Sequence, residues 1–381
     1  MIIIFFFTVE FKLKMEEALR RVAAWTDGDL DLSELELDEL PPLPDGLTHL
    51  LCVDNHLRIL PKLPATLIEL DCSCNKLLIL PALPSTLRVL RCDDTTLRSI
   101  PPLPAGLLEL SFNSNKLRTF PLLPDGLTYL DCSDNKLTSL PDLPATLTEL
   151  YCSGNRLTSL PDLPDTLTEL YCYNNQLTSL PDLPATLTGL TCYDNQLISL
   201  QALPATLIQL WCDNNKLTSL LPLPISLRQL RCNKNKLTSL PTLPPTLTEL
   251  TCDENKLTSL PDLPAGLTAL DCGNNELTSL PALPASLIWL ACKDNNLPVY
   301  PNKGESADHY EKRLRRAEEE LSRHRSVVRC RAVMEELMIV TWNPTRIQLL
   351  IMCYGWYSSP HWNYEHKTYT PLTWNTIDEI L

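Results

Sequence analysis

The sequence predicts an α/β repeat solenoid, a stack of short coils with a parallel sheet along one side and helical caps at both ends. Three observations carry this. The chain repeats every 20 residues from Leu47 to Tyr300, its 33 prolines cluster in that register, and 12 of its 15 cysteines recur at one apolar slot. Composition agrees: 44% hydrophobic residues can fill a core, yet so many prolines would break ordinary helices and central strands unless they were placed periodically. With only 10 glycines, a net charge of −14 and no apolar run of about 18 residues, the chain fits neither a collagen nor a membrane-spanning protein. The same acidity argues against nucleic acid and anionic lipid as partners.

One unit defines the strand and the return arm. Leu147, Leu150, Cys152, Asn155, Leu157, Leu160, Pro161, Leu163 and Pro164 return as Leu167, Leu170, Cys172, Asn175, Leu177, Leu180, Pro181, Leu183 and Pro184, and 13 units follow this plan with few exceptions. The formula LxxLxCxxNxLxxLPxLPxx is the leucine-rich-repeat pattern with Cys in its third apolar slot, at the short end of the roughly 20 to 29 residues such repeats use. It implies a leucine-rich-repeat horseshoe with a parallel concave sheet. Leu150 and Cys152 alternate with Glu149, Tyr151 and Ser153, the period of two expected of a strand with one buried face. Paired prolines, as in Leu160-Pro-Asp-Leu-Pro164, fix φ and disfavour the α region before them, so the convex return arm is expected as polyproline II.

Two further columns run through the units. Twelve of the 13 carry Asn after the strand, and Thr95 replaces it once. An amide there can bond the backbone of its turn and of the next coil, which makes it a structural ladder. The cysteine column is interrupted by Phe112, so the slot asks for an apolar group, and reduced buried thiols satisfy it. A linear stack about 4.8 Å apart is neither a tetrahedral metal site nor an easy disulfide geometry. Many unpaired thiols favour a reducing, intracellular compartment.

The ends differ from the array. The amino-terminal segment, 1–28, contains a helical pattern over Met15 to Trp25 with Leu19, Val22 and Ala23 on one face, as for a cap. Its opening MIIIFFFTVEFKLK is expected as a strand pairing with the cap or as an over-extended start upstream of Met15. The solenoid spans 29–301, with a degenerate first coil over Asp29 to Leu40. Residues 302–381 hold 11 basic and 11 acidic residues, a helical pattern over Ser306 to Val340, a second helix near Thr345 to Cys353, and an aromatic segment with Trp356, Tyr357, Trp362, Tyr364, Tyr369 and Trp374. This segment reads as a cap over the last coils or as a partner-binding tail.

Units such as LTSLPDLPATLTELYCSGNR resemble the short repeats of bacterial effector proteins of the YopM and invasion-plasmid-antigen H type; similar arrays occur in large DNA viruses. The likeness covers about Met15 to Pro301. It implies repeats that bind host proteins and, for an effector or viral protein, residence in host cytoplasm. Some members of that family add a ubiquitin ligase with a C-x-D nucleophile. Here Cys330-Arg-Ala and Cys353-Tyr-Gly lack the Asp, while Cys132-Ser-Asp134, Cys192-Tyr-Asp194 and Cys292-Lys-Asp294 fall in the core register, where a thiol is inert. Ligase activity is therefore not carried over. An adaptor that selects substrates for ubiquitin ligation through residues 302–381 is the alternative to a plain binding scaffold.

The strand positions that vary most face the partner. Most hold acidic or small residues, but Tyr151, Tyr171, Tyr173, Tyr193 and Trp211 fall on four consecutive coils and form the expected partner-binding patch, with Glu149, Glu169 and Asp213 around it to steer a basic segment. Cross-strand stacking for its own sake is the other reading of this aromatic run. No catalytic residue, metal site or cofactor is expected: none of the six His pairs with a nucleophile, and no glycine-rich phosphate loop is present.

Overall fold

A computed structural model describes residues 2–296, with side chains from Leu13 onward. Helix α1 (Ile2–Ala24) is followed by strands of three residues each, β1 (Asp29–Asp31), β2 (His49–Leu51) and then one every 20 residues to β14 (Trp289–Ala291). All 14 strands pair in parallel, in chain order and without a crossover. Their register follows from the repeat length: Leu150 lies opposite Leu170 and Leu170 opposite Leu190, so each residue pairs with its equivalent 20 positions on. The degenerate coil at Asp29 supplies β1, which pairs with β2.

Burial follows the period. In the coil of β7 (Glu149–Tyr151) the side chains of Leu147, Leu150, Cys152 and Leu157 are completely buried, and the equivalents in neighbouring coils form one continuous leucine and cysteine core. The return arm contains neither helix nor strand, and each arm ends in a tight turn in which the Leu167 N–H donates to the Pro164 carbonyl at 3.1 Å. Thr166, inside that turn, donates its hydroxyl to the Ala145 and Leu147 carbonyls of the preceding coil at 2.9 and 2.7 Å.

The asparagine column joins coil to coil. Asn155 Nδ2 donates to the Cys152 and Ser153 carbonyls of its own turn at 3.2 and 3.0 Å and to the Cys132 carbonyl at 2.9 Å, while Oδ1 accepts the Leu137 N–H at 3.0 Å. The inter-coil bonds therefore run to the preceding coil, whereas the sequence had suggested the next one. The Asn sits C-terminal to its own strand, and its amide reaches back toward the coil already laid down. Before each Asn stands a residue at positive φ, from Asp54 at 52° to Asp294 at 56°, with Gly154 at 63°. This left-handed turn swings the Asn side chain inward, and it explains why Asp, Asn or Gly fills the position in most coils.

The thiol column is buried from Cys52 to Cys272 and half-buried at Cys292, and the thiols from Cys52 to Cys272 form no disulfide. Phe112 takes the slot once, completely buried, and packs edge-on against Phe120 of its own coil with ring centroids 6.3 Å apart. On the adjacent side Cys72 and Cys92 bring their sulfurs to 2.9 Å, as free thiols.

At the amino terminus the expected strand over the first 14 residues is not formed. The helix begins at Ile2 and runs unbroken to Ala24, because MIIIFFFTVEFKLK contains no Pro or Gly to stop a helix that the next ten residues continue. Ala18 is completely buried, and Met15, Val22 and Trp25 pack on the leucine core beside β1. Among the described residues no helix is long and apolar enough to cross a membrane. The helices and aromatic segment expected within 302–381 lie outside the described residues.

Two predictions follow from the columns. Thr95 cannot make the full asparagine set; its hydroxyl donates instead to Asn115 Oδ1. Thr95→Asn should restore the bonds to the preceding coil and raise stability by about 1 kcal/mol, read as a shift in the urea midpoint. Burial pushes the column thiols up, to about 12 at Cys172 and Cys272. An acid held protonated in the fold favours the unfolded chain once the unfolded thiol ionises. The contribution of the thiols should therefore be level below roughly pH 8.5, and stability should fall steeply above it, measured as the thermal midpoint against pH.

Candidate functional site

Side chains ending in 9 and 1 stand on the open face of the sheet, and those ending in 3 follow just beyond the strand. The positions ending in 1 and 3 set two rows about 6.6 Å apart, each with a step of about 4.8 Å between coils. The first row reads Asp131, Tyr151, Tyr171, Thr191, Trp211, Arg231; the second reads Ser133, Ser153, Tyr173, Tyr193, Asp213, Asn233. Equivalent residues on neighbouring strands must then stack. Tyr151 and Tyr171, paired across β7 and β8 (Glu169–Tyr171), are parallel within 11° with centroids 4.6 Å apart. Tyr173 and Tyr193 do the same at 4.4 Å. Each such pair contributes about 0.5–1.5 kcal/mol beyond its buried area, so stacking alone makes the rings at least neutral for the fold.

All five expected aromatics line one half-open depression of about 350 Å³, together with Asp131, Asp134, Ser153 and Thr191. The rings are half-buried against one another and none enters the leucine core. Two residues that sequence reading left out extend the site. Tyr129 leans on Tyr151 at 5.4 Å and 39°, and Arg231 places its guanidinium carbon 4.3 Å from the centroid of the Trp211 ring. Both were accessible to the register: Tyr129 occupies a face position one coil earlier, and Arg231 stands 20 residues after Trp211.

The acidic residues expected around the patch are already engaged. Glu149 Oε2 accepts the Tyr151 hydroxyl at 3.1 Å. Glu169 accepts the Thr188 hydroxyl at 2.9 Å and lies over Gly189, where any Cβ would stand 1.9 Å from its Oε2. Asp213 Oδ1 accepts the Asn233 N–H at 2.9 Å, and burial still pushes its carboxyl up. None of the three lines the depression; the carboxylates that do are Asp131 and Asp134. Earlier in the array Glu69 and Glu109 flank Arg91 at 2.6 and 2.8 Å, so the face is less negative there than its acidic residues suggest.

Burial is also the leading cause that raises the phenols. Tyr129 is pushed up to about 12, with Asp131 adding to the effect, and Tyr151 and Tyr193 are pushed higher still. These hydroxyls stay neutral at physiological pH and act as hydrogen-bond donors. Among the described residues no group of three His, Cys, Asp or Glu is placed to hold a metal ion. The C-x-D cysteines 132 and 192 are buried thiols, pushed above their ordinary value by burial, which removes the thiolate that nucleophilic chemistry needs.

Fold and face together define a parallel leucine-rich-repeat solenoid whose distinctive surface is an aromatic depression on its sheet. Residues 145–185 match the family model described as leucine-rich repeats (2 copies). YopM from Yersinia pestis, described as a leucine-rich effector protein, is 34% identical over 76% of this chain and 88% of its own, with a TM-score of 0.66. YopM from Yersinia enterocolitica is 32% identical over 75% and 79%, with a TM-score of 0.63. The chain belongs to the YopM-type leucine-rich-repeat family. A domain of InlJ from Listeria monocytogenes, described as including a cysteine ladder, is 25% identical over 63% of this chain and 61% of its own at a TM-score of 0.51. No curated protein matches the chain significantly.

One electrostatic prediction arises on the same face. Burial, with Asp271 second, raises Asp253 to about 6. A carboxyl with a raised folded-state value stabilises the fold when protonated, so its contribution is present below about pH 4 and is lost as pH rises through 6. Asp253→Asn should therefore raise the urea midpoint at pH 7.5, and the gain should vanish toward pH 4.

Proposed function

We propose that this chain is a non-enzymatic, effector-like scaffold that captures a host or cellular protein on the concave face of its sheet. The observation that carries this is the aromatic depression: Tyr151, Tyr171, Tyr173, Tyr193 and Trp211 converge from four consecutive coils on one half-open hollow. Stacking accounts for pairs of rings, but it does not account for aromatic side chains placed in both rows of the face around a common hollow. Large rigid aromatics with polar tips are the residues that dominate protein interfaces. Two acidic groups in the hollow favour a partner with a basic segment over nucleic acid or an anionic membrane. The reduced, buried thiols from Cys52 to Cys272 support a reducing compartment, host cytoplasm if the protein is delivered as effectors are.

The reading is tested by affinity capture with the full chain against the triple variant Tyr171→Ala, Tyr173→Ala, Trp211→Ala. Capture of the specific target should fall at least about 100-fold in the variant, as loss of several central anchors does. Deletion of residues 302–381 should leave capture intact. Retained affinity in the triple variant overturns the assignment of the face, and loss on deletion moves the binding site to the carboxy-terminal segment.

A further inference from the structure

One corner of the depression has its own chemistry. In the second row Ser133 and Ser153 are small, so a gap opens between Tyr151, in the first row of the same coil, and Tyr173, on the next coil. One face of Tyr173 is covered by Tyr193 at 4.4 Å, and its other face is turned toward this gap. The floor carries an orphan: Ser153 is 1% exposed and its hydroxyl has no hydrogen-bond partner. A buried hydroxyl left unmade costs about 1–3 kcal/mol, so something that completes it would be stabilised there.

The wall is acidic and lacks a counter-charge. Asp131 Oδ1 accepts the Ser133 N–H and Oδ2 accepts the Asn113 side-chain amide at 3.4 Å, but Asp131 and Asp134 have no basic partner among the described residues. Asp134 reaches over the next coil because Gly154 has no side chain; a Cβ there would lie 2.0 Å from Asp134 Oδ1. Burial and the neighbouring Asp131 both push the Asp134 carboxyl up, the mark of a group that a cation would relieve. The same face already shows the contact in miniature, with the Arg231 guanidinium against Trp211.

Resting on the docking-face reading above, we infer that the gap above Ser153 is a socket for one arginine side chain of the partner protein. Its guanidinium pairs with the carboxylates of Asp131 and Asp134, donates to Ser153 Oγ, and lies flat on the open face of Tyr173. Arginine fits better than lysine because its planar fork meets two acceptors and a ring at once, whereas an ammonium is a compact, strongly hydrated point charge.

The test titrates the full chain with three capped pentapeptides, Gly-Gly-Xaa-Gly-Gly, where Xaa is arginine, lysine or citrulline. Citrulline keeps the planar shape and one donor edge while removing the charge and replacing one terminal amino group with a carbonyl oxygen. The arginine peptide should bind at least about tenfold more tightly than the citrulline peptide and more tightly than the lysine peptide. Asp134→Asn should reduce that preference by about tenfold. This variant keeps the backbone, since Asn174, Asn214 and Asn274 occupy the same turn position at φ of 46–53°. Asp54→Asn, the same change in a distant coil, should leave binding unaltered. Equal binding of arginine and citrulline, no binding of arginine, or equal effects of Asp134→Asn and Asp54→Asn overturn the socket. If that happens while target capture still depends on Tyr171, Tyr173 and Trp211, the docking face stands without it.

Discussion

The buried asparagine amide is the joint on which this solenoid depends. A coil of 20 residues cannot close a core of its own, and its strand of three residues leaves most of its backbone polar groups without a ladder partner. Backbone bonds between coils, such as Cys132 N–H to the Tyr151 carbonyl, meet part of that deficit, and Asn155 and its equivalents meet more by serving three carbonyls and one N–H from a single side chain, two of those groups on the preceding coil. Leaving such groups unmade in the interior costs about 1–3 kcal/mol each, more than the packing of a single methylene returns. The leucines supply the cohesion, but the amides fix the step from coil to coil and hence the register of the sheet.

That fixed step controls the rest of the interior. The left-handed residue before each Asn aims the amide inward, so the recurrence of Asp, Asn and Gly there has a backbone reason whatever their side chains go on to contact. A thiol fits the third slot because little lateral room remains between equivalent positions on neighbouring strands. Where Phe112 enters, its own coil compensates with Phe120, and Cys92 lies against Cys72 on the adjacent side. The exposed face obeys the same spacing. Aromatics on adjacent coils are obliged to stack, and the binding surface is an outcome of the period that holds the core.

Stacking and binding are therefore not competing accounts of the tyrosines. The 4.6 and 4.4 Å pairs hold the rings rigid, which lowers the entropy that a partner's contact would have to overcome. Pre-ordered rings beside two carboxylates and an unsatisfied hydroxyl make a surface that is costly to leave bare and cheap to cover. Arg231 on Trp211 and Arg91 between Glu69 and Glu109 show how the chain neutralises its own face elsewhere. The corner at Asp131 and Asp134 is one place where it does not.

The amino-acid sequence by itself determined the period, the parallel register, the inward leucines, thiols and amides, and the coils that carry the aromatic run. A strict 20-residue repeat forces equivalent residues opposite one another whatever the surroundings. Tertiary structure alone decided what could not be read from register. Glu149, Glu169 and Asp213 are drawn into local hydrogen bonds, while Asp134 becomes a wall of the depression because Gly154, 20 residues away, leaves it space. The opening segment is helical and not a strand, since continuity with the helix at Met15 outweighs the strand preference of its Ile and Phe residues. Periodicity fixes where a side chain stands, but which neighbour takes up its polar atoms depends on the three-dimensional competition among all groups within reach.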